Sequence, residues 1–149
     1  MASASIKSYL EELSTTADRI LLLQGPIGTF FSVFADWLHQ QCGKTVFKLN
    51  FNAGDELCFP ATKPNTFAYT DTFQAFPDFL SSFIREHRIE AVVCFGDTRP
   101  YHIAAKSVVH VLGNVSFWAF EEGYFRPYFV TLEKSGVNAY SPLPRDARF

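Results

Sequence analysis

The stretch ILLLQGPIGTFFSVFADWLHQQCGKTVFKL, residues 20–49, changes its hydrophobic period twice. Ile20 to Leu23 is a short, wholly apolar run that stops at Gln24-Gly25-Pro26-Ile27-Gly28. Such a run, bounded by glycine and proline, suits a strand covered on both faces, as in a parallel sheet. From Thr29 to Cys42 the residues Phe30, Phe34, Trp37, Leu38 and Gln41 fall on a helical pattern, and Gly43 stands where a helix C-cap belongs. Thr45 to Leu49 then reads as a second strand, ending at Asn50-Phe51-Asn52-Ala53-Gly54-Asp55.

The alternation continues in both directions. Upstream, Ala4 to Leu13 spaces Ile6, Leu10 and Leu13 for a short amphipathic helix. Downstream, 56–72 reads as a long loop with at most one extended piece. Pro77 then opens a helix to about His87, burying Phe79, Leu80, Phe83 and Ile84. Ala91 to Phe95 is a third strand. A helix from Pro100 to Leu112 turns Ile103, Ala104, Val108, Val111 and Leu112 inward, and Val115 to Phe120 is a fourth strand. Beyond it the chain is polar and proline-containing, without a clear period. Successive βα units predict an α/β fold: a Rossmann-like or flavodoxin-like parallel sheet of four to five strands with helices on both faces. The domain spans 1–149, with 1–18 as a helical extension and 19–149 as the sheet-bearing lobe.

Composition narrows the function. The chain has 149 residues, 48% of them hydrophobic and 19% charged, with net charge −2. That is enough for one self-sufficient core, and it lacks the basic face a nucleic-acid binder needs. No apolar run reaches the length that spans a bilayer, and MASASIKSYLEEL has no secretory apolar core. Three cysteines, Cys42, Cys58 and Cys94, are far apart and lack metal-ligand spacing, so a reduced, cytoplasmic protein is expected. The 17 phenylalanines imply a Phe-rich core, with a smaller share left for an exposed aromatic surface.

In open parallel sheets, ligands bind beyond the carboxyl ends of the strands. Four polar, glycine-containing loops converge there: Gln24-Gly25-Pro26, Asn52-Ala53-Gly54-Asp55, Gly96-Asp97-Thr98-Arg99 and Glu121-Glu122-Gly123-Tyr124. They bring Asp55, Asp97, Glu121, Glu122, Arg99, His102 and Arg126 to one rim. The first loop reads as a plain strand-to-helix turn or as an anion site at a helix N-terminus; it lacks the P-loop lysine, and the absence of G-x-G-x-x-G spacing disfavours a flavin or nicotinamide enzyme. Asp55 after Gly54 has the form of a turn residue. Asp97 reads either as a cap for the helix near Pro100 or as a crevice carboxylate with a tunable pKa. Two glutamates ending so apolar a strand are costly unless paired or used, and alternation sends one into the crevice and the other sideways toward Arg126. His39, His87 and His110 fall in helices as surface or packing residues.

Taken together, QGPIGTFF (24–31), KLNFNAGD (48–55), FGDTRPYH (95–102) and EEGYFRPYFVTLEKSGVN (121–138), followed by Ser141-Pro142-Leu143-Pro144-Arg145-Asp146, resemble the bacterial capsule polysaccharide synthesis and export proteins of the KpsS/LipB and KpsC/LipA type. The resemblance runs from about Arg19 to Asp146, with Ala53 standing where many relatives are expected to have glycine. It implies a two-lobed GT-B glycosyltransferase that moves 3-deoxy-D-manno-oct-2-ulosonic acid (Kdo) from CMP-Kdo to a phosphatidylglycerol-type lipid or a growing Kdo linker. This chain would be the N-terminal, acceptor-side lobe and inactive alone, partnered by a C-terminal nucleotide lobe and by capsule assembly proteins at the inner membrane. On that basis Asp97 is the expected nucleophile and Glu122 the base, the two roles being exchangeable and Glu121 a substitute. Gln24, Gly25, Asn52, Asp55, Arg99, His102, Glu121, Tyr124 and Arg126 are the expected substrate contacts, and no metal or cofactor is expected. The reading from a different class is a noncatalytic, flavodoxin-like module that binds a small anion or a partner protein.

Overall fold

In the computed structural model, which describes residues 2–122 and 130–134, the chain alternates helix and strand as its periodicity predicts. The first half runs α1 (Ala2–Thr16), β1 (Arg19–Leu22), α2 (Phe30–Cys42), β2 (Thr45–Asn50), α3 (Ala53–Cys58) and β3 (Thr66–Ala68). The second runs α4 (Phe76–His87), β4 (Ala91–Phe95), α5 (Pro100–Leu112), β5 (Ser116–Glu122) and β6 (Val130–Lys134). Gly43 and Gly113 close α2 and α5 in the left-handed conformation, and prolines open α4 and α5.

The strands form one sheet in the order β3-β2-β1-β4-β5-β6. Every pairing is parallel except β5 with β6. This is the strand order of the doubly wound Rossmann sheet, not that of flavodoxin. Side chains alternate between two cores. On one face Leu21, Leu49, Val92 and Ala119 pack with Phe76 and Leu80 of α4 and Val109 of α5. On the other, Ile20, Leu22, Val93 and Trp118 pack with Leu13 of α1 and Phe31, Phe34 and Leu38 of α2. The phenylalanines divide between the two cores, as their number implies.

The sheet differs from the sequence reading at its edges. Residues 56–72 hold the end of α3 and all of β3, which joins β2 through Lys48↔Thr66 and Asn50↔Ala68. An exposed three-residue edge strand has no buried face to impose alternation, so its sequence carries no strand signal. The stretch after β5 supplies the antiparallel β6, whose Leu132 is buried in the α1–α2 core. Six strands therefore replace four to five, and β5 extends through both Glu121 and Glu122. The face of α5 is also rotated. His102, Ala105, Val108 and Val109 are buried, while Ile103 and Val111 point outward.

Candidate functional site

The chain leaves β1 for β2 on one side of the sheet and returns to β4 on the other. The loops after β1 and β4 thus part company, leaving a crevice at the carboxyl edge. His102, at the start of α5, ties the two loops together. Its Nε2 accepts the Gln24 backbone N–H at 3.2 Å, and its Nδ1–H donates to the Gly96 carbonyl. Those two partners fix the neutral Nδ1–H tautomer, because a protonated Nε2 would face an N–H donor. Burial accordingly pushes the His102 pKa down to about 4, against the opposing Gly96 hydrogen bond. Both ring nitrogens are occupied, so His102 positions the loops.

On the β1–β2 side, Gln24, Gly25, Asn52, Asp55 and Arg99, which the sequence reading grouped, line one cavity of about 210 Å³. Asn52 caps α3 by accepting the Asp55 backbone N–H at 2.9 Å. Asp55 is a turn residue with a further task. Its Oδ2 accepts the Phe51 N–H at 2.7 Å and Gln24 Nε2 at 3.4 Å, joining the β2 and β1 loops. Gly28 donates its N–H to Cys58 Sγ at 3.3 Å.

The cavity also contains a residue the sequence reading passed over, Lys48. It stands two residues before the end of β2, faces the α2 side of the sheet and is 2% exposed. Its Nζ donates to the Leu49 carbonyl at 2.7 Å and to Asn50 Oδ1 at 2.9 Å, and lies 5.6 Å from the Phe59 ring centre. Burial lowers its pKa to about 8, with Asp55 and Cys58 pulling it up and Arg99 pushing it further down. A signal was present: a lysine in a strand otherwise buried on both faces must be paired or used.

The carboxylates gather on the β4–β5 side. Asp97 follows Gly96, whose φ of +76° turns the chain at the end of β4 and whose N–H donates to the Phe120 carbonyl at 2.7 Å. Asp97 is buried, and both it and Glu122 are engaged with other groups. Strand alternation separates the glutamates. Glu121 is half-buried on the side of Ala119, where it and Asp97 both raise the pKa of the Cys94 thiol after burial has done most of the work. Glu122 lies on the opposite side and is exposed. Tyr124 and Arg126 lie outside the described residues. Among the described residues no cluster of His, Cys, Asp and Glu is arranged to hold a metal.

The sequence has counterparts among known proteins. Residues 90–149 match the family described as capsule polysaccharide biosynthesis protein. The capsule polysaccharide modification protein LipB of Neisseria meningitidis serogroup A is 56% identical over 149 residues, all of this chain and 35% of the relative. The capsule polysaccharide export protein KpsS of Escherichia coli is 45% identical over 131 residues, 88% of this chain and 33% of the relative. The chain is thus similar in sequence to capsule polysaccharide proteins over its whole length. It spans about a third of the length of the curated relatives it matches. The stretch that matches the capsule family contains Asp97, Arg99, His102, Glu121 and Glu122, while Lys48 and Asp55 precede it. No described helix of this chain is long and apolar enough to cross a membrane.

Proposed function

We propose that this chain is the acceptor-side lobe of a retaining glycosyltransferase that moves Kdo from CMP-Kdo to a phosphatidylglycerol-type lipid or a growing Kdo linker. The placement of Asp97 carries the reading: a buried carboxylate at the switch point of a Rossmann-like sheet, beside a strand ending in two glutamates, in a chain similar to capsule polysaccharide proteins. Retention requires two displacements. Asp97 attacks the ketosidic carbon as CMP departs, and an acceptor hydroxyl then displaces Asp97. Glu122 takes the acceptor proton; its exposure at the strand end leaves it accessible to an incoming hydroxyl, whereas Glu121 is turned toward Cys94. Arg99 supplies a cation for the sugar carboxylate, Gln24, Gly25, Asn52 and Asp55 complete the rim, and Arg126 and Tyr124 are proposed as further substrate contacts. His102 contributes by holding the Gln24 and Gly96 loops at a fixed separation.

The nucleotide would bind a second lobe, and the assembled protein would work at the cytoplasmic face of the inner membrane among other capsule assembly proteins. Incubating the two-lobed protein with CMP-Kdo and phosphatidylglycerol vesicles, then weighing the lipid, tests this. A Kdo-bearing lipid is expected from the two-lobed protein and none from residues 1–149 alone, where the reacting atoms cannot be aligned. Donor binding without any product in the two-lobed protein would reduce the site to a recognition module.

A further inference from the structure

Lys48 presents an electrostatic imbalance. The other lysines whose ion pairs are described sit nearer the surface: Lys44 with Asp18 at 2.9 Å, Lys63 with Asp36 at 2.7 Å and Lys134 with Glu12 at 2.7 Å. Lys48 is more buried than any of them, yet among the described residues no carboxylate comes within ion-pair distance of its Nζ. Its two acceptors, the Leu49 carbonyl and Asn50 Oδ1, are neutral, and an ammonium has three N–H bonds to satisfy. Asp55 is the nearby counter-charge, a single carboxylate lining the cavity with the two cations Lys48 and Arg99. Burying a cation on such terms is unfavourable unless something else supplies the missing negative charge.

The surroundings indicate what is missing. The cavity walls carry Lys48 and Arg99 against Asp55, which leaves one positive charge in excess. Gly25 to Gly28 form another wall and lead into α2, a 13-residue helix whose first turn holds no acidic residue and whose N-cap Thr29 makes no side-chain hydrogen bond to it. The first turn of α2, whose Phe31 lines the cavity, leaves backbone N–H groups without an intrahelical partner, and the positive end of the helix dipole lies beside the cavity. An ammonium and a guanidinium line one cavity beside a helix N-terminus, a donor set of the kind that binds phosphate.

We infer that the cavity enclosed by the Gln24–Gly28 loop, β2 and α3 is a phosphate-binding subsite, with Lys48 as its buried cation and Arg99 at its edge. The phosphate belongs to a substrate, either as the monoester of a nucleotide or as the phosphodiester of a lipid headgroup. The subsite lies on the β1–β2 side of the crevice, away from Asp97 and Glu122. It is tested by binding alone, so its failure would leave sugar transfer untouched.

The test is calorimetric titration of the protein with inorganic phosphate, CMP and glycerophosphoglycerol, repeated on Lys48→Met and Arg99→Gln. At least one probe should bind the wild-type protein. Preference for CMP identifies a nucleotide phosphate, and preference for glycerophosphoglycerol a lipid phosphodiester. Lys48→Met should weaken binding about tenfold or more, with a melting temperature unchanged or higher because methionine fills the space without a charge. Arg99→Gln, at an exposed position, should weaken it by less. Should Lys48→Met fail to fold, NMR titration of the Lys48 ε-methylene in the wild-type protein decides the matter. Phosphate should move its midpoint upward from about 8, since a bound anion adds to the pull of Asp55 and Cys58 and opposes Arg99. No binding of any probe, equal binding by Lys48→Met, or an unmoved midpoint would overturn the inference.

Discussion

His102 has a pH signature that follows from its two hydrogen bonds. Its folded pKa of about 4 lies below the ordinary 6.5, so above pH 6.5 it is neutral in folded and unfolded chains alike. Between pH 6.5 and 4 the unfolded chain takes up a proton that the folded one refuses, and stability falls by up to about 3 kcal/mol. Urea unfolding at pH 7 and pH 4.5 should therefore differ less in His102→Gln, whose amide oxygen can accept the Gln24 N–H in place of Nε2. Gly25 and Gly28 make a second contrast. A Cβ on Gly25 would come within 2.9 Å of the buried Phe31 ring, so Gly25→Ala should cost about 1–3 kcal/mol through overpacking. Gly28 has open space but φ +109°, so Gly28→Ala is strained by its backbone alone. Thermal unfolding of both variants checks this. Sequence position was sufficient to gather Gln24, Asn52, Asp55 and Arg99, because loops at strand ends must converge. Lys48 and Cys58 escaped because a side chain inside a strand, or on a six-residue helix, reaches the cavity only through three-dimensional packing.

At the scale of elements, legibility followed burial. Strands β1 and β4 are covered on both faces, and their unbroken apolar runs mark them plainly. α4, with Leu80, Phe83 and Ile84 buried, was equally readable, although Phe76 rather than Phe79 completes its buried side. Elements with little to bury, α3 and β3, left no period to read. α5 misled for the opposite reason, being apolar on several sides. Hydrogen bonding of His102 to Gln24 and Gly96 selects the face that turns inward and leaves Val111 outside. Helix α3 depends on its cap, since no residue of it is buried. Asn52→Ala removes the bond to the Asp55 N–H and should destabilise by about 1 kcal/mol. A lowered urea midpoint with an unchanged slope would register that loss, whereas an unchanged midpoint would show the cap to be dispensable.

At the scale of the molecule, two of the openings among the described residues contrast in chemistry. One is the polar crevice at the carboxyl edge. The other is an apolar groove of about 350 Å³ between α1, α2 and the sheet, lined by Leu10, Phe30, Val33, Phe34, Trp37, Phe120 and Leu132. The smaller share of phenylalanine that composition assigned to the surface is represented here by Phe30, half-buried at the groove, and elsewhere by the exposed Phe67 and Phe73. A hydrophobic dye should fluoresce on binding the protein, and Trp37→Glu should lower that signal severalfold; an unchanged signal would place the dye elsewhere. The crevice carries the central claim, and Asp97 is its decisive residue. Asparagine keeps the shape of the side chain and most of its hydrogen bonding but removes the proposed nucleophile. The most direct measurement is Kdo transfer from CMP-Kdo to phosphatidylglycerol by the two-lobed protein carrying Asp97→Asn, read beside its melting temperature. Transfer should fall about a hundredfold or more while the melting temperature holds or rises. α5 itself is capped at Arg99, without a side-chain hydrogen bond. Near-wild-type transfer with a lowered melting temperature would make Asp97 a structural residue and contradict the account.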